Sequence, residues 1–106
     1  MVTLYHNCRI VDAATDRTGF VAVEAGSILA TGPGEPNLPY DTAVDLSGLT
    51  LMPAFIDLHC HLRDPGYPQK ETLETGMRAA LKGGYGTLVA MANTLPVVLY
   101  IGKDGV

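Results

Sequence analysis

Between positions 55 and 91 two apolar runs flank a stretch with helical periodicity, and this order constrains the fold more than any other feature of the chain. Residues 55–60 are apolar apart from Asp57 and His59, the pattern of a strand buried on both faces. Asp64-Pro65-Gly66 ends that run. Leu73, Met77, Ala80 and Leu81 then recur at the spacings of one helical face. Glu71 and Glu74 lie near the start of this helix, Lys82 in its last turn and Gly83-Gly84 beyond it, in agreement with the helix dipole and the usual glycine stop. Residues 87–91 are a second apolar run. Strand, helix and strand within about 37 residues is the length of a βαβ unit with parallel strands, so the expected class is α/β.

Ahead of this unit the texture changes. Residues 3–6, 9–11, 20–24 and 27–31 are short β-rich runs, and Ala25-Gly26 between the last two reads as a hairpin turn. The stretch Gly32-Pro33-Gly34-Glu35-Pro36-Asn37-Leu38-Pro39 precludes a helix or a central strand and is expected to be an exposed loop. Two further strands are expected at 43–46 and 50–52, with Pro53 marking a boundary. The expected division is therefore 1–53, a small β subdomain, then 54–98, a βαβ body, then 99–106, a tail without a recognisable pattern.

Charge and composition exclude several function classes. Seven Lys plus Arg against eleven Asp plus Glu leave a net charge of −4, and the basic residues do not cluster, so no nucleic-acid partner is expected. The long uncharged stretch that includes 84–102 is interrupted by Asn93, Thr94 and Pro96, which is poor material for a membrane span. Residues 1–9 lack a basic start followed by an apolar signal core, and two cysteines make no disulfide framework. The expectation is a cytoplasmic protein.

The chemistry-bearing residues gather at the ends of the two apolar runs. In His59-Cys60-His61 the two imidazoles stand at i and i+2 of a strand, so they project from one face and can meet one metal ion, with Cys60 on the other side. Asp57 shares the histidine face and could fix a ring tautomer from behind. Arg63 follows, a planar guanidinium suited to a carboxylate or, equally, a surface cation. Asn93 holds the corresponding place after the second run, either to hydrogen-bond a substrate or to form a turn. In (β/α) barrels the reacting groups sit at the carboxyl ends of the strands.

Val44-Asp45-Leu46-Ser47-Gly48, followed by Leu51-Met52-Pro53-Ala54-Phe55-Ile56-Asp57-Leu58-His59-Cys60-His61-Leu62-Arg63-Asp64-Pro65-Gly66, resembles the barrel entrance of the amidohydrolase superfamily, and more narrowly the dihydroorotases. Lys70-Glu71-Thr72, Glu74-Thr75-Gly76, Arg78-Ala79-Ala80, Gly83-Gly84 and Met91-Ala92-Asn93-Thr94-Leu95-Pro96 continue the pattern in order. The resemblance implies a small β-sandwich over 1–53 and the first βαβ unit of a (β/α)8 TIM barrel after it. It implies zinc on His59 and His61, and Arg63 and Asn93 on the carboxylate of dihydroorotate. The implied reaction is the reversible hydrolysis of that cyclic amide to N-carbamoyl-aspartate in pyrimidine biosynthesis, with a metal-activated water attacking the ring carbonyl. Allantoinases and dihydropyrimidinases share the His-x-His but bind rings without that carboxylate, and rank second.

The pattern has departures: Ala54 where glycine is usual, Met77 and Gly86 where threonine is, Ala92 where proline is, and Leu95 where asparagine is. A complete barrel takes about 250 residues, so the chain is expected to be an N-terminal piece and inactive alone. The family's bridging lysine, further histidines and proton-moving aspartate come from later strands, whereas Lys70, Lys82 and Lys103 fall in loop, helix and tail. One βαβ unit leaves strand edges unpaired, so a marginal or homo-oligomeric product is expected. An alternative of another class is a non-catalytic interaction module that docks on a partner such as aspartate transcarbamoylase.

Overall fold

The computed structural model describes residues 1–96 and 100–103; positions 97–99 and 104–106 of the expected barrel segment and tail lie outside the described residues. The chain divides into two compact units, Met1–Pro53 and Ala54–Val106.

The first unit is a five-stranded mixed sheet of β1 (Val2–Val11), β2 (Asp16–Glu24), β3 (Ser27–Pro33), β4 (Thr42–Asp45) and β5 (Thr50–Leu51). The two runs expected at 3–6 and 9–11 are one strand interrupted by a bulge, where Tyr5 faces Val21 but Cys8 faces Gly19. Asn7 stands there at φ 57°, a left-handed conformation that asparagine tolerates, and its Nδ2 donates to Asp45 Oδ1 at 3.1 Å. The extra residue inverts the side-chain alternation. Leu4 therefore packs with Phe20 and Ala22 in one cluster, while Cys8 and Ile10 pack with Val21 in another. The bulge also divides the far edge of β1 between two parallel partners, β4 at residues 3–6 and β5 at residues 9 and 10.

The resemblance implies two layers here, whereas the described residues of this unit form a single sheet with an apolar cluster on each face. On one of those faces Tyr5, Ile10, Val21, Val23, Ile28 and Leu51 border an open apolar groove of about 380 Å³. The β2–β3 hairpin turns at Ala25 and Gly26, both at positive φ (49° and 75°), the pattern of a type I′ turn.

The second unit is a three-stranded sheet in the order β6 (Phe55–Cys60), β7 (Tyr85–Ala90) and β8 (Tyr100–Lys103), with α1 (Leu73–Lys82) between β6 and β7. β6 and β7 are parallel, the expected βαβ arrangement. Thr72 caps α1, with its hydroxyl accepting from Thr75 N–H at 3.1 Å and Thr75 Oγ1 accepting from Thr72 N–H at 3.0 Å. Leu62, Met77, Leu88 and Ala90 form the core between helix and sheet. β6 is not buried on both faces as its composition suggests: Ile56 is 63% and Leu58 71% exposed, and it is Cys60 and Leu62, past a register shift that follows Asp57, that join the α1 core. Part of the tail forms β8, which runs antiparallel on β7 in place of the helix that the barrel pattern calls for. No helix among the described residues is long and apolar enough to cross a membrane.

Two departures from the family pattern, Ala54 and Gly86, are neighbours in space. A Cβ at position 86 would lie 2.8 Å from the Ala54 Cβ, closer than two methyl groups can pack. Gly86→Thr is expected to destabilise by about 1 kcal/mol or more through overpacking, and Ala54→Gly to restore stability in that background. Denaturant unfolding of the four-member cycle measures the coupling, and additive effects would disprove it.

In the first unit the Arg9 fork donates to Asp16 at 2.8 and 2.7 Å, and these hydrogen bonds hold the Asp16 carboxyl below its ordinary value of 3.8. A carboxyl lowered by folding stabilises above its unfolded pKa, and that contribution is lost as pH falls through the lowered one. Asp16→Asn is therefore expected to lower Tm slightly at neutral pH, with the gap narrowing in high salt and closing on acidification below 3.8. Thermal melts of both proteins across pH check this.

Candidate functional site

Parallel pairing places the C-terminal ends of β6 and β7 side by side, and Met91 N–H prolongs the ladder by donating to Cys60 O at 2.8 Å. Two loops leave from this rim, one carrying His61, Arg63 and Asp64, the other Asn93 to Pro96. They are joined directly: Leu95 N–H donates to Pro65 O at 3.1 Å. Gly66 makes the approach feasible, since at φ 106° it sits where a Cβ would fall 2.8 Å from the Leu95 backbone.

His59 and His61 are both exposed, with ring centres 5.4 Å apart and ring planes at 77°. Two imidazoles sharing one tetrahedral ion at metal–nitrogen distances of about 2.0–2.1 Å have ring centres about 5 Å apart, so this spacing fits joint ligation. Among the described residues no third His, Cys, Asp or Glu completes a ligand group with them.

Asn93 reaches across from the β7 loop, and its Nδ2 lies 3.0 Å from His61 Nδ1. Asp57, half-buried and separated from Cys60 by a shift in the β6–β7 register, accepts the backbone N–H of His59 at 3.0 Å. It thus holds the main chain at the first histidine, and the side-chain contact to an imidazole ring comes from Asn93. Arg63 is exposed, and its carbonyl accepts Tyr67 N–H at 2.8 Å, which shapes the loop that presents it. Cys60 points away from the histidines, its thiol pushed up by burial first and by the Asp57 and Glu71 charges second.

Asp64 was legible in the sequence only as a strand terminator. In the fold its Oδ2 accepts Leu73 N–H at 3.1 Å, so a carboxylate from the rim satisfies a free donor at the start of α1. The available signal was an aspartate preceding a helix start, but a separation of nine positions conceals that pairing. Asp64 ties the Arg63 loop to the helix as Leu95 ties it to the neighbouring strand end.

Solved structures define the class. The chain matches L-hydantoinase (dihydropyrimidinase) from Arthrobacter aurescens with a TM-score of 0.76 over 90% of this chain and 21% of that one, at 24% identity, a likeness of fold. D-hydantoinase (dihydropyrimidinase) from Thermus sp. matches with a TM-score of 0.68 at 30% identity, over 85% of this chain and 20% of that one. Sequence then narrows the class: residues 48–99 match the family described as Dihydro-orotase-like, and the chain belongs to that family. It is 46% identical over 99 residues to the dihydroorotase of Anaplasma phagocytophilum (strain HZ), across 87% of this chain and 22% of that protein. The chain spans about a quarter of the length of the curated relatives it matches.

Gly66→Ala is expected to push the two rim loops apart and to cost about 1–3 kcal/mol, as overpacking does. Urea unfolding measures the loss, and faster hydrogen exchange at the Leu95 amide locates it. Unchanged exchange there would contradict the loop-to-loop link.

Proposed function

We propose that this chain supplies the first part of the active site of a cytoplasmic, zinc-dependent dihydroorotase, which reversibly hydrolyses dihydroorotate to N-carbamoyl-aspartate in pyrimidine biosynthesis. The observation that carries the reading is the His59–His61 pair, ring centres 5.4 Å apart at the end of β6, inside the stretch that matches the family. Zinc, when bound, supplies Lewis-acid polarisation of the ring carbonyl and activation of water. The chain's own residues then divide the remaining work. His59 and His61 present two ligands from one strand face, and Asp57 holds the backbone at the first of them. Arg63, on the exposed loop beside them, offers a bidentate fork to the substrate carboxylate, which favours dihydroorotate over rings that lack it.

Two ligands are fewer than the three protein ligands usual in catalytic zinc sites, so zinc binding to the isolated chain is expected to be weak. Zinc titration followed by histidine NMR is expected to perturb His59 and His61 together, and His59→Ala or His61→Ala to abolish the effect. In a protein that contains the complete site, Arg63→Ala is expected to weaken dihydroorotate binding about tenfold or more, the scale of a lost hydrogen bond to a charged group. Zinc affinity should stay unchanged, and equal loss of both would refute the role given to Arg63.

A second reading, a non-catalytic module that docks on aspartate transcarbamoylase or a second copy of itself, is favoured by β8. An antiparallel strand on β7 occupies the edge along which a parallel barrel grows. Co-sedimentation with aspartate transcarbamoylase, in the absence of any zinc response at His59 and His61, would favour this reading.

A further inference from the structure

A neutral imidazole can offer one ring nitrogen to a metal only when the other carries the proton, so whatever touches the second nitrogen governs the first. In His61 that contact is Asn93, whose Nδ2 lies 3.0 Å from Nδ1 across 32 positions of sequence. The main chain around Asn93 is itself held: its N–H donates to Met91 O at 2.9 Å, Met91 N–H to Cys60 O at 2.8 Å, and Leu95 N–H to Pro65 O at 3.1 Å. The carboxamide is thus presented to the ring by backbone hydrogen bonds that tie both strand ends together.

A carboxamide has a donor at one end and an acceptor at the other, and the end that meets Nδ1 selects the tautomer. With Nδ2–H donating, the ring proton sits on Nε2. With the amide turned over, Oδ1 accepts from Nδ1–H and the Nε2 lone pair is free to ligate. We infer that Asn93 is a positioning residue that acts through His61: with its amide turned so that Oδ1 accepts from Nδ1–H, it sets the ring tautomer and so makes Nε2 the atom that meets the metal. The inference rests on the reading of His59 and His61 as ligands, and gives Asn93 a task distinct from holding the substrate carboxylate. Partners behind a ligating histidine typically change metal affinity 10–100-fold when removed.

The test uses the 15N-labelled chain at a pH where the imidazoles are neutral, reading the ring-nitrogen shifts of all three histidines in wild type, Asn93→Ala and Asn93→Asp. His61 in wild type is expected to show one dominant tautomer, and Asn93→Ala to relax it toward the mixture of a free imidazole. Asn93→Asp, whose carboxylate can only accept, is expected to hold the proton on Nδ1. His59 should be the same in all three and serves as the control for folding. Zinc added to the same samples is expected to bind Asn93→Ala about 10–100-fold more weakly than Asn93→Asp. An identical His61 tautomer in all three proteins, or equal zinc affinity in the two variants, would overturn the inference. If zinc perturbs neither histidine in wild type while the tautomer still follows residue 93, the ligand reading falls and the coupling of Asn93 to His61 stands.

Discussion

The parallel pairing of β6 with β7 is the constraint on which the candidate site depends. Two parallel strands joined through a helix end on the same side, so polar residues that follow them in sequence arrive at one rim although the chain places them some thirty positions apart. The pairing is held from behind by Leu62, Met77, Leu88 and Ala90, which bury the side of the sheet that α1 covers. Remove that cluster and His61 and Asn93 have no reason to meet. The packing of apolar side chains on one face is thus what brings an amide to an imidazole on the rim.

Strand alternation separates the two tasks. At the end of β6, past the register shift between Asp57 and Cys60, His59 and His61 fall on one face, whereas Cys60 and Leu62 fall on the other, against the α1 core. Imidazoles and core therefore do not compete for the same space, and a chain that alternates polar with apolar at this point can place both. The first unit uses alternation differently. There the Asn7 bulge inverts it, so that Leu4 and Ile10, which an unbroken strand would place on one face, feed clusters on opposite faces. One extra residue also lets a single strand accept β4 and β5 in succession along the same edge.

Much of this was legible because it is local. The helix over 73–82, the Ala25-Gly26 turn and the His-x-His geometry each depend on residues a few positions apart, where periodicity, turn chemistry and strand alternation act directly. The fusion of residues 3–6 with 9–11 into one bulged strand was hidden, since it depends on register against β2 rather than on the residues of β1 themselves. The exposure of Ile56 and Leu58 was hidden for a related reason: an apolar run reports what a strand is suited to lie against, not what lies against it in this chain. β8 carries a glycine and a lysine and no alternation that marks a strand; pairing with β7 organises it. The rim was legible in outline from the βαβ spacing, but the contact of Asn93 with His61 needed the fold.

The two loop ties explain why that contact is specific. A single exposed hydrogen bond between two side chains contributes little, because each side chain loses rotamer freedom to make it. Here the loss is met before the side chains engage. Asp64 anchors one loop to the first turn of α1, and the Leu95–Pro65 hydrogen bond anchors the other loop to it, so Asn93 and His61 extend from backbone that is already placed. The close approach at Gly66 sets the loop separation, and a side chain there would lengthen it. What the rim presents is therefore a pair of imidazoles whose spacing is fixed by strand geometry, one of them in contact with an amide that the neighbouring strand delivers.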